Sequence, residues 1–291
     1  MKKIKILIPI FNDWQSLFKL LENINNEVLN LDAEFSIIIV NDASTEARPE
    51  INLNLNNIRT VKVINMKKNK GHARCIAAGL KYIFEKEEFD YVIPMDGDGE
   101  DRPEEIKKFV DNLNYNSDKP IVGERAKRSE GIFFKFCYFF HKIITFTFTG
   151  KSIKFGNYTC LPKSTVDKIV QEKATWSSFS GSLTKVARNT TAFSSVKGIR
   201  YFGPSKMSFK NLIVHSLSII SVYKINVLIR SIFFLLVYIF LIHQNITVIM
   251  FIPIILVIAL LVSVFVISGR ENLEELNNSL SNILNIDDLK F

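Results

Sequence analysis

Short apolar runs alternate with longer amphipathic stretches through the first third of the chain. The runs are rich in Ile and Val and predict strands at residues 4–10, 35–40, 61–64 and 91–95. Between them, apolar residues recur at helical spacing and predict helices over residues 14–29 and 72–84. Strands that alternate with helices are typical of an α/β fold, in which crossover helices connect parallel strands.

Polar residues follow each predicted strand. They are Asn12 and Asp13 after the first strand, residues 41–44 after the second, residues 69–72 soon after the third, and an acidic cluster after the fourth. Ligands of such sheets bind at the carboxyl ends of the strands. The four polar segments therefore predict a single binding cleft.

Two long apolar segments lie near the C-terminus, at residues 225–243 and 246–267. Each is close to the roughly 20 apolar residues that cross a bilayer. The short turn at Gln244 and Asn245 predicts a transmembrane helical hairpin, with residues 1–206 and the tail at 268–291 on the same side. Buried core helices are the alternative, which the absence of charge in the second segment disfavours.

Two further segments are predicted at the membrane surface. Residues 131–150 are rich in aromatics, but Lys135, His141 and Lys142 interrupt them, which favours an interfacial helix or a cover over the cleft. A third membrane span remains the alternative there. Residues 207–224 are amphipathic and lead into the first apolar segment, which predicts an interfacial helix, although an ordinary packing helix fits the same pattern.

Charge and cysteine content narrow the class of protein. The 37 basic and 29 acidic residues give a net charge of +8, and the acidic tail means that the positive excess belongs to the rest of the chain. This charge suits a cytoplasmic domain that lies against anionic lipid and handles a phosphorylated substrate. Nucleic acid is not an expected partner, because no stripe of interleaved Arg and aromatic residues occurs. The three cysteines lack metal-ligand spacing and indicate reduced thiols in a reducing compartment.

The fourth predicted strand ends in the acidic residues Asp96, Asp98, Glu100 and Asp101. Carboxylates this close repel one another unless a cation lies among them. An EF-hand is excluded, because Asp101 holds the position that must be glycine and a strand precedes the loop. A dinucleotide-binding unit is excluded too, because the first strand has no Gly-rich turn after it.

Two interpretations of the acidic cluster remain. Asp96 and Asp98 are suited to hold Mg²⁺ or Mn²⁺ against a diphosphate, since alternate residues leaving a strand point to the same side. A solvated acidic helix start is the other interpretation. It accounts for Glu104 and Glu105, because acidic side chains in the first turn of a helix interact favourably with the helix dipole. It does not account for Asp96 and Asp98, which precede the helix.

Four segments, PIFND, VNDAST, NKGHARCIAAGL and MDGDGEDRPEEI, together resemble the motifs of a known family. Their order and spacing are similar to those of inverting family 2 glycosyltransferases with a GT-A fold. The branch that they resemble contains dolichol-phosphate mannose synthases and bacterial polyprenyl-phosphate glycosyltransferases. The resemblance covers residues 4–206 and implies a GT-A catalytic domain over residues 1–206. The C-terminal hairpin matches the layout of the bacterial branch.

The resemblance implies roles for the donor-binding residues. Asp42 matches the acid that contacts the nucleotide base, and Asn41 stands where an acid is often found beside it. Gly71 and Arg74 match the turn and helix start near the nucleotide. The loop that frames the nucleotide matches Pro9, Phe11, Asn12 and Asp13.

The resemblance also implies the metal ligands and the catalytic cations. Asp96 and Asp98 match the metal-binding pair, and Glu100 stands where relatives commonly have a Gln that joins the metal shell. Arg125 matches a phosphate-binding arginine, with Arg128 as the alternative. The late basic motif, which closes over the diphosphate or the acceptor phosphate, matches Arg200, Ser205 and Lys206.

One position departs from the family. Many relatives have Gly-Asp-Phe where this chain has Gly156, Asn157 and Tyr158, and an amide cannot act as a general base. An acceptor that is already a phosphate monoester needs little deprotonation near neutral pH. The departure therefore favours a lipid-phosphate acceptor, or a base elsewhere in the chain.

These observations predict an inverting, metal-dependent glycosyltransferase anchored in the cytoplasmic membrane as a multi-pass protein. It is expected to move a hexose from a nucleotide diphospho-sugar to a polyprenyl phosphate on the cytoplasmic leaflet. Transfer to a lipid-linked glycan or another hydroxyl is the alternative within this class. An inactive membrane adaptor that binds nucleotide or lipid is the alternative from another class. The oligomeric state stays open, including a homo-oligomer.

Overall fold

The computed structural model describes residues 1–127, 132–187, 189–204, 208–244 and 246–289. The chain divides into two compact units. Unit 1 comprises Met1–Ser129, Lys154–Lys206 and Asn272–Phe291, and unit 2 comprises Glu130–Ile153 and Met207–Glu271. The strands and α-helices run in the order β1 (Lys2–Ile10), α1 (Trp14–Glu27), β2 (Ala33–Asn41), β3 (Thr60–Met66), α2 (His72–Lys86), β4 (Tyr91–Pro94), α3 (Ile106–Leu113), β5 (Ile121–Lys127), α4 (Ile132–Thr149), β6 (Phe155–Pro162), α5 (Lys163–Val170), α6 (Phe179–Val186), β7 (Thr191–Val196), α7 (Phe209–Ser221), α8 (Lys224–Ile242), α9 (Phe251–Ser268), α10 (Leu273–Asn277) and β8 (Ile283–Asp288).

Unit 1 is built on an eight-stranded sheet in the order β7-β5-β6-β4-β1-β2-β3-β8. Its centre is parallel, because β1 pairs in parallel with both β2 and β4, and β2 pairs in parallel with β3. Towards the edges, β6 is antiparallel to β4 and β5, and β8 is antiparallel to β3. All four predicted strands and both predicted helices are confirmed, with boundaries within a few residues.

The central strands are buried on both faces of the sheet, which explains their nearly continuous apolar sequences. Alternate residues of β1 enter two different cores: Ile6 and Ile8 face the core that includes Leu17 of α1, and Leu7 faces the core that includes Leu80 of α2. Truncation of a fully buried leucine such as Leu7 to alanine is expected to cost about 2–5 kcal/mol. The sheet thereby fixes the strand ends from which the site is built.

The segment predicted as a tail has regular structure. It contains α10 and β8, and β8 extends the sheet by pairing with β3, with Asp288 opposite Lys62. This edge strand was not predicted, because its sequence ILNIDD is short, polar and acidic. The chain therefore returns to unit 1 after the two apolar helices.

Unit 2 contains α4 and the helices α7, α8 and α9. Ile220 of α7, Val227 of α8 and Val264 of α9 share one buried cluster. Helices α8 and α9 are long and apolar enough to cross a membrane, and only 11% of each apolar stretch is buried. That exposure is unlike the core helix of a soluble protein and indicates association with a membrane. The predicted helices at 131–150 and 207–224 occur as α4 and α7, and their position at the membrane surface stays a prediction.

Candidate active site

The loop after β1 is fixed to the loop after β2. Asn12 adopts a positive φ of 50°, and its Oδ1 accepts hydrogen bonds from the backbone amides of Thr45, at 2.8 Å, and Glu46, at 3.1 Å. Phe11 is 41% exposed at the strand end, whereas Pro9 is buried inside β1 opposite Val40. Asn12 thus organises the loop, while Pro9 contributes to the strand beneath it.

Asp42 connects the end of β2 to the start of α2. Its buried carboxylate accepts hydrogen bonds from the backbone amides of Lys70 and Gly71, each at 2.8 Å. Gly71 has φ +92°, a conformation that a side chain disfavours. Arg74 follows in the first turn of α2, where it donates to the Lys70 carbonyl at 3.2 Å. The predicted donor-binding residues Asp42, Gly71 and Arg74 therefore lie together.

The acid loop, residues 96–101, is held by its own carboxylates. Asp101 Oδ2 accepts a hydrogen bond from the backbone amide of Asp96 at 2.9 Å, and Asp98 Oδ1 accepts one from the amide of Glu100 at 3.0 Å. Gly99 adopts φ +88°, and a Cβ there would lie 2.5 Å from the ring of Tyr201. The loop therefore requires glycine at this position both for its turn and for the close approach of Tyr201.

Each acid of the loop has a basic partner. The pairs are His72 Nε2 with Asp96 Oδ1 at 3.2 Å, Arg200 Nη1 with Asp98 Oδ2 at 2.7 Å, Lys197 Nζ with Glu100 Oε2 at 2.9 Å, and Arg125 Nη2 with Asp101 Oδ1 at 3.2 Å. Arg200 also forms an ion pair with Asp13, so that one guanidinium bridges the loop after β1 and the acid loop. The positive charges of Arg200, Lys197 and Arg125 offset the repulsion among the carboxylates.

The carboxylates of the acid loop differ in their affinity for protons. Burial, reinforced by the charge of Asp96, raises the pKa of Asp101 to about 7 despite the guanidinium of Arg125. Burial and Asp96 also raise the pKa of Asp98. Burial alone would raise the pKa of Asp96, but His72 outweighs it and lowers that pKa well below the ordinary range. Of these three carboxylates, Asp96 therefore binds a proton least readily.

The late basic motif packs directly on the acid loop. The backbone amide of Gly198 donates to the Glu100 carbonyl at 2.8 Å, and that of Tyr201 donates to the Asp98 carbonyl at 3.0 Å. The Tyr201 hydroxyl accepts a hydrogen bond from Asn23 of α1 at 2.8 Å. These contacts place Arg200 beside Asp98. Ser205, Lys206 and Arg128 lie outside the residues that the structure describes.

Asn157, near the start of β6, lies beside Asp96, the first carboxylate of the predicted metal-binding pair. Its Nδ2 donates to Asp96 Oδ1 at 3.2 Å and lies 2.9 Å from Nε2 of His72. Partial burial would lower the pKa of His72, but the charge of Asp96 outweighs it and raises that pKa. A carboxylate at position 157 would therefore face the carboxylate of Asp96 directly.

Lys197 was not predicted as a site residue, and His72 was predicted only as part of the polar segment 69–72 at the cleft, without a role of its own. The four basic partners of the acid loop come from α2, β5 and the loop after β7, so no spacing in the sequence pairs them with particular acids. The only available signal was general, since an acidic cluster at a strand end requires cations nearby.

The donor set of the acid loop fits a hard divalent cation. Mg²⁺ typically binds one or two carboxylates and completes its shell with water and substrate phosphates. Asp96 and Asp98 supply two such carboxylates. Within the described part of the chain no group of three His, Cys, Asp or Glu side chains is arranged to hold a metal. A metal bound by Asp96 and Asp98 would therefore take its remaining ligands from a bound diphosphate and water.

Comparison with known proteins defines the family. The profile described as "Glycosyl transferase family 2" matches residues 5–164, which is more than half of the chain. The chain belongs to glycosyltransferase family 2. The match includes β1 to β4, the acid loop and Asn157, so the sequence resemblance to this family is confirmed.

Curated relatives in the family carry the name undecaprenyl-phosphate 4-deoxy-4-formamido-L-arabinose transferase. The protein from Photorhabdus laumondii is 29% identical over 221 residues, which are 73% of this chain and 65% of the relative. The protein from Proteus mirabilis is 28% identical over 221 residues, which are 72% of this chain and 64% of the relative. This family 2 chain thus covers slightly less than two thirds of the length of these relatives.

Solved structures share the fold. Glucosyl-3-phosphoglycerate synthase from Mycobacterium tuberculosis, in complex with Mn²⁺, UDP-glucose and phosphoglyceric acid, has a TM-score of 0.51 at 12% identity, and the match covers 79% of each chain. The same enzyme with phosphoglyceric acid has a TM-score of 0.52 at 10% identity and covers 77% of this chain and 80% of that chain. The predicted GT-A fold of this family 2 chain is confirmed.

Proposed function

We propose that this chain is a metal-dependent, inverting glycosyltransferase that transfers a sugar from a nucleotide diphospho-sugar to a polyprenyl phosphate at the cytoplasmic face of the inner membrane. The observation that carries the proposal is the bridge by Arg200 between Asp13 and Asp98, in a family 2 fold followed by two apolar helices. By the family resemblance, Asp13 lies in the loop that frames the nucleotide and Asp98 belongs to the metal-binding pair. Arg200 belongs to the motif that closes over the diphosphate or the acceptor phosphate. The names of the relatives support an undecaprenyl phosphate acceptor.

The side chains of the site suggest how the donor is held. Asp42 and Asn12 order the two loops that would frame the nucleotide. Arg200 and Arg125 pair with carboxylates of the acid loop. This supports a role in which each guanidinium exchanges its carboxylate for a phosphate oxygen of the donor. Mg²⁺ or Mn²⁺ on Asp96 and Asp98 would supply charge neutralisation to the leaving diphosphate.

The reaction then needs no general base. An oxygen of the acceptor phosphate forms a bond to the anomeric carbon as the bond from that carbon to the nucleoside diphosphate breaks, and the configuration inverts. A phosphate monoester is already largely ionised near neutral pH. Asn157, an amide, is compatible with such an acceptor, because no proton has to be removed from the nucleophile.

A cavity in unit 2 has the chemistry for a lipid phosphate. It has a volume of about 330 Å³ and lies between α4 and the segment that follows it. Its lining combines two lysines with large apolar side chains, among them Phe139, Lys142, Phe146, Lys151 and Ile153. We propose that this cavity binds the phosphate and the first prenyl units of a lipid phosphate.

The sugar is not fixed by the sequence. A hexose was predicted, whereas the relatives are named for a derivative of arabinose, a pentose. The decisive experiment incubates detergent-solubilised protein with labelled UDP- and GDP-linked hexoses and pentoses, with undecaprenyl phosphate, and with Mg²⁺, Mn²⁺ or EDTA. Transfer of label to the organic phase, lost in EDTA and in Asp98→Ala, is the expected result.

Matched acceptors separate the proposal from its alternatives. Undecaprenol, which carries a hydroxyl in place of the phosphate, should not be labelled. Labelling of undecaprenol or of a lipid-linked glycan, but not of undecaprenyl phosphate, would show a hydroxyl-directed enzyme. Nucleotide or lipid binding without transfer from any donor would support the inactive adaptor.

A further inference from the structure

The segment Leu273–Asp288, here called the clasp, consists of α10, β8 and the turn between them. In the chain it follows the two apolar helices, and its residues belong to unit 1. Three sets of contacts connect the clasp to the loops that hold the proposed donor-binding residues.

The first connection runs from β8 through the side-chain amides of two asparagines. Asp287 Oδ2 accepts a hydrogen bond from Asn65 Nδ2 at 2.9 Å, and Asn65 Oδ1 accepts one from Asn41 Nδ2 at 2.9 Å. Asn41 Oδ1 in turn accepts from the backbone amide of Ser44 at 3.1 Å. Ser44 Oγ accepts from the amide of Asn12 at 2.9 Å. A single chain of hydrogen bonds therefore links β8 to both loops that frame the proposed nucleotide site.

The second connection runs from α10 through an indole ring. Trp176, which is 4% exposed, donates from Nε1 to Glu275 Oε2 at 2.9 Å. The guanidinium of Arg74 lies over the same ring, 5.5 Å from its centroid. Leu276 is fully buried against Trp176 and Ala77 of α2. The helix α10 thus fixes the ring on which Arg74 rests.

The third connection holds the loop between β3 and α2. The backbone amide of Lys67 donates to the Asn282 carbonyl at 2.7 Å, and Lys67 Nζ donates to the Ser281 carbonyl at 2.8 Å. Asn282 Nδ2 donates to the carbonyl of Lys68 at 3.1 Å. This loop leads to Gly71, whose amide binds Asp42.

We infer that the clasp is a positioning element of the donor site, which couples the return of the chain after α8 and α9 to the geometry of the nucleotide loops. The inference rests on the proposed function. If the clasp only covered the edge of the sheet, the backbone hydrogen bonds between β3 and β8 would be sufficient. The side-chain contacts go beyond this backbone pairing, because Glu275 binds Trp176. Asp287 binds the side chain of Asn65, which in turn binds Asn41 of β2.

Two pairs of variants in the full chain test the inference. Glu275→Ala removes the acceptor for Trp176, and its neighbour Glu274→Ala on the exposed side of α10 is the control. Asp287→Ala removes the acceptor for Asn65, and Asp288→Ala is its control. Trp176→Phe keeps a ring for packing but loses the N–H donor.

The direct readout is hydrogen exchange of residues 41–46 and 67–74, which needs no ligand. In the test variants, exchange in these two segments should rise about threefold or more relative to the controls, as expected when one hydrogen bond is lost. Glu275→Ala and Trp176→Phe should have effects that do not add, because both remove the same contact. With the active donor, KM should rise by about 3–10-fold while kcat changes by less than about twofold.

Two outcomes would overturn the inference. One is equal exchange of both segments in test and control variants. The other is a uniform increase over all of unit 1, which would show general destabilisation. Failure of the wild-type chain to transfer any sugar would instead overturn the proposed function, and the exchange measurement would still decide the role of the clasp.

Discussion

Arg200 is the residue on which the proposed donor site depends most. A guanidinium has a planar array of donors and can bridge Asp13 and Asp98, whereas a lysine ammonium is a single point of charge. Arg200→Lys should therefore lower kcat/KM for transfer by about 30-fold or more, as expected for loss of a hydrogen bond between charged groups. Arg102→Lys is the control, since Arg102 pairs with the half-exposed Glu104 on the surface. Similar activities of the two variants would exclude the bridge as a functional element.

Asn157 allows a prediction that separates the two acceptor classes. Asn157→Asp would place a carboxylate 3.2 Å from Asp96, where the amide now donates a hydrogen bond. With a phosphate acceptor, the new charge repels both Asp96 and the nucleophile, so the rate should stay the same or fall. With a hydroxyl acceptor, a restored base is worth about 10² to 10⁴ in rate. An increase of about tenfold or more with undecaprenyl phosphate would contradict this account of the missing base.

Motifs in the sequence indicate candidate site residues more readily than they indicate which of these residues contact one another. Asp13, Asp42, Asp98 and Arg200 lie in motifs, and the structure brings Arg200 to Asp13 and Asp98. The pairing of Lys197 with Glu100 could not be predicted, because it depends on how the loop after β7 packs on the acid loop. The residues near Lys197 in the sequence do not indicate this packing.

At the scale of elements, burial decided which strands could be predicted. The strands β1 and β2 are buried on both faces, so their apolar runs are continuous and easily recognised. The strand β8 lies at the sheet edge, where exposed and acidic residues protect against further pairing. Its pattern is therefore that of a solvated tail, although its backbone completes the sheet.

A buried carboxylate after α2 ties three elements of unit 1 together. Glu87 is paired with Lys5 of β1 at 2.9 Å and with Lys62 of β3 at 2.6 Å, and its side chain is only 8% exposed. Burial would raise the pKa of Glu87, but the hydrogen bonds from Lys62 and Lys5 outweigh it, and the pKa is lowered from 4.5. The ion pairs should thus stabilise the fold wherever Glu87 is ionised.

Glu87→Gln should lower the apparent Tm of the full chain in detergent by about 6 °C or more at pH 7, because it leaves Lys5 buried without a charged partner. Because the folded pKa lies below the unfolded value, the difference from wild type should persist above pH 4.5 and diminish as the pH falls below it. The adjacent Glu88 is 83% exposed, so Glu88→Gln is the matched control with little expected effect. Equal shifts in both variants, or a difference that does not depend on pH, would contradict the role of the pairs.

For the whole molecule, strand pairing constrains how the chain meets a membrane. A single crossing by α4 would place β5 and β6 on opposite sides, yet these strands are paired, with Ile121 opposite Cys160. The strand β8 likewise pairs with β3, so the chain before α8 and the chain after α9 lie on the same side. Helices α8 and α9 must therefore both cross or both remain on one side. The two apolar segments already predicted that residues 1–206 and the tail lie on the same side, and the long-range pairing of β8 with β3 supports that prediction independently.

The hairpin topology is the last prediction. Reporter fusions after Lys206 and after Phe291 should both report cytoplasm, because an even number of crossings separates them and the basic residues of the N-terminal domain favour the inside.

A cysteine introduced at Gln244, in the turn after α8, should react with a membrane-impermeant maleimide added from the outside. The control is a cysteine at Asn285 of β8, which is exposed on the same strand that pairs with β3 and should react only after the membrane is opened. Equal protection of both cysteines would show that α8 and α9 lie on the surface without crossing, and an outside signal from the C-terminal fusion would contradict the pairing of β8 with β3.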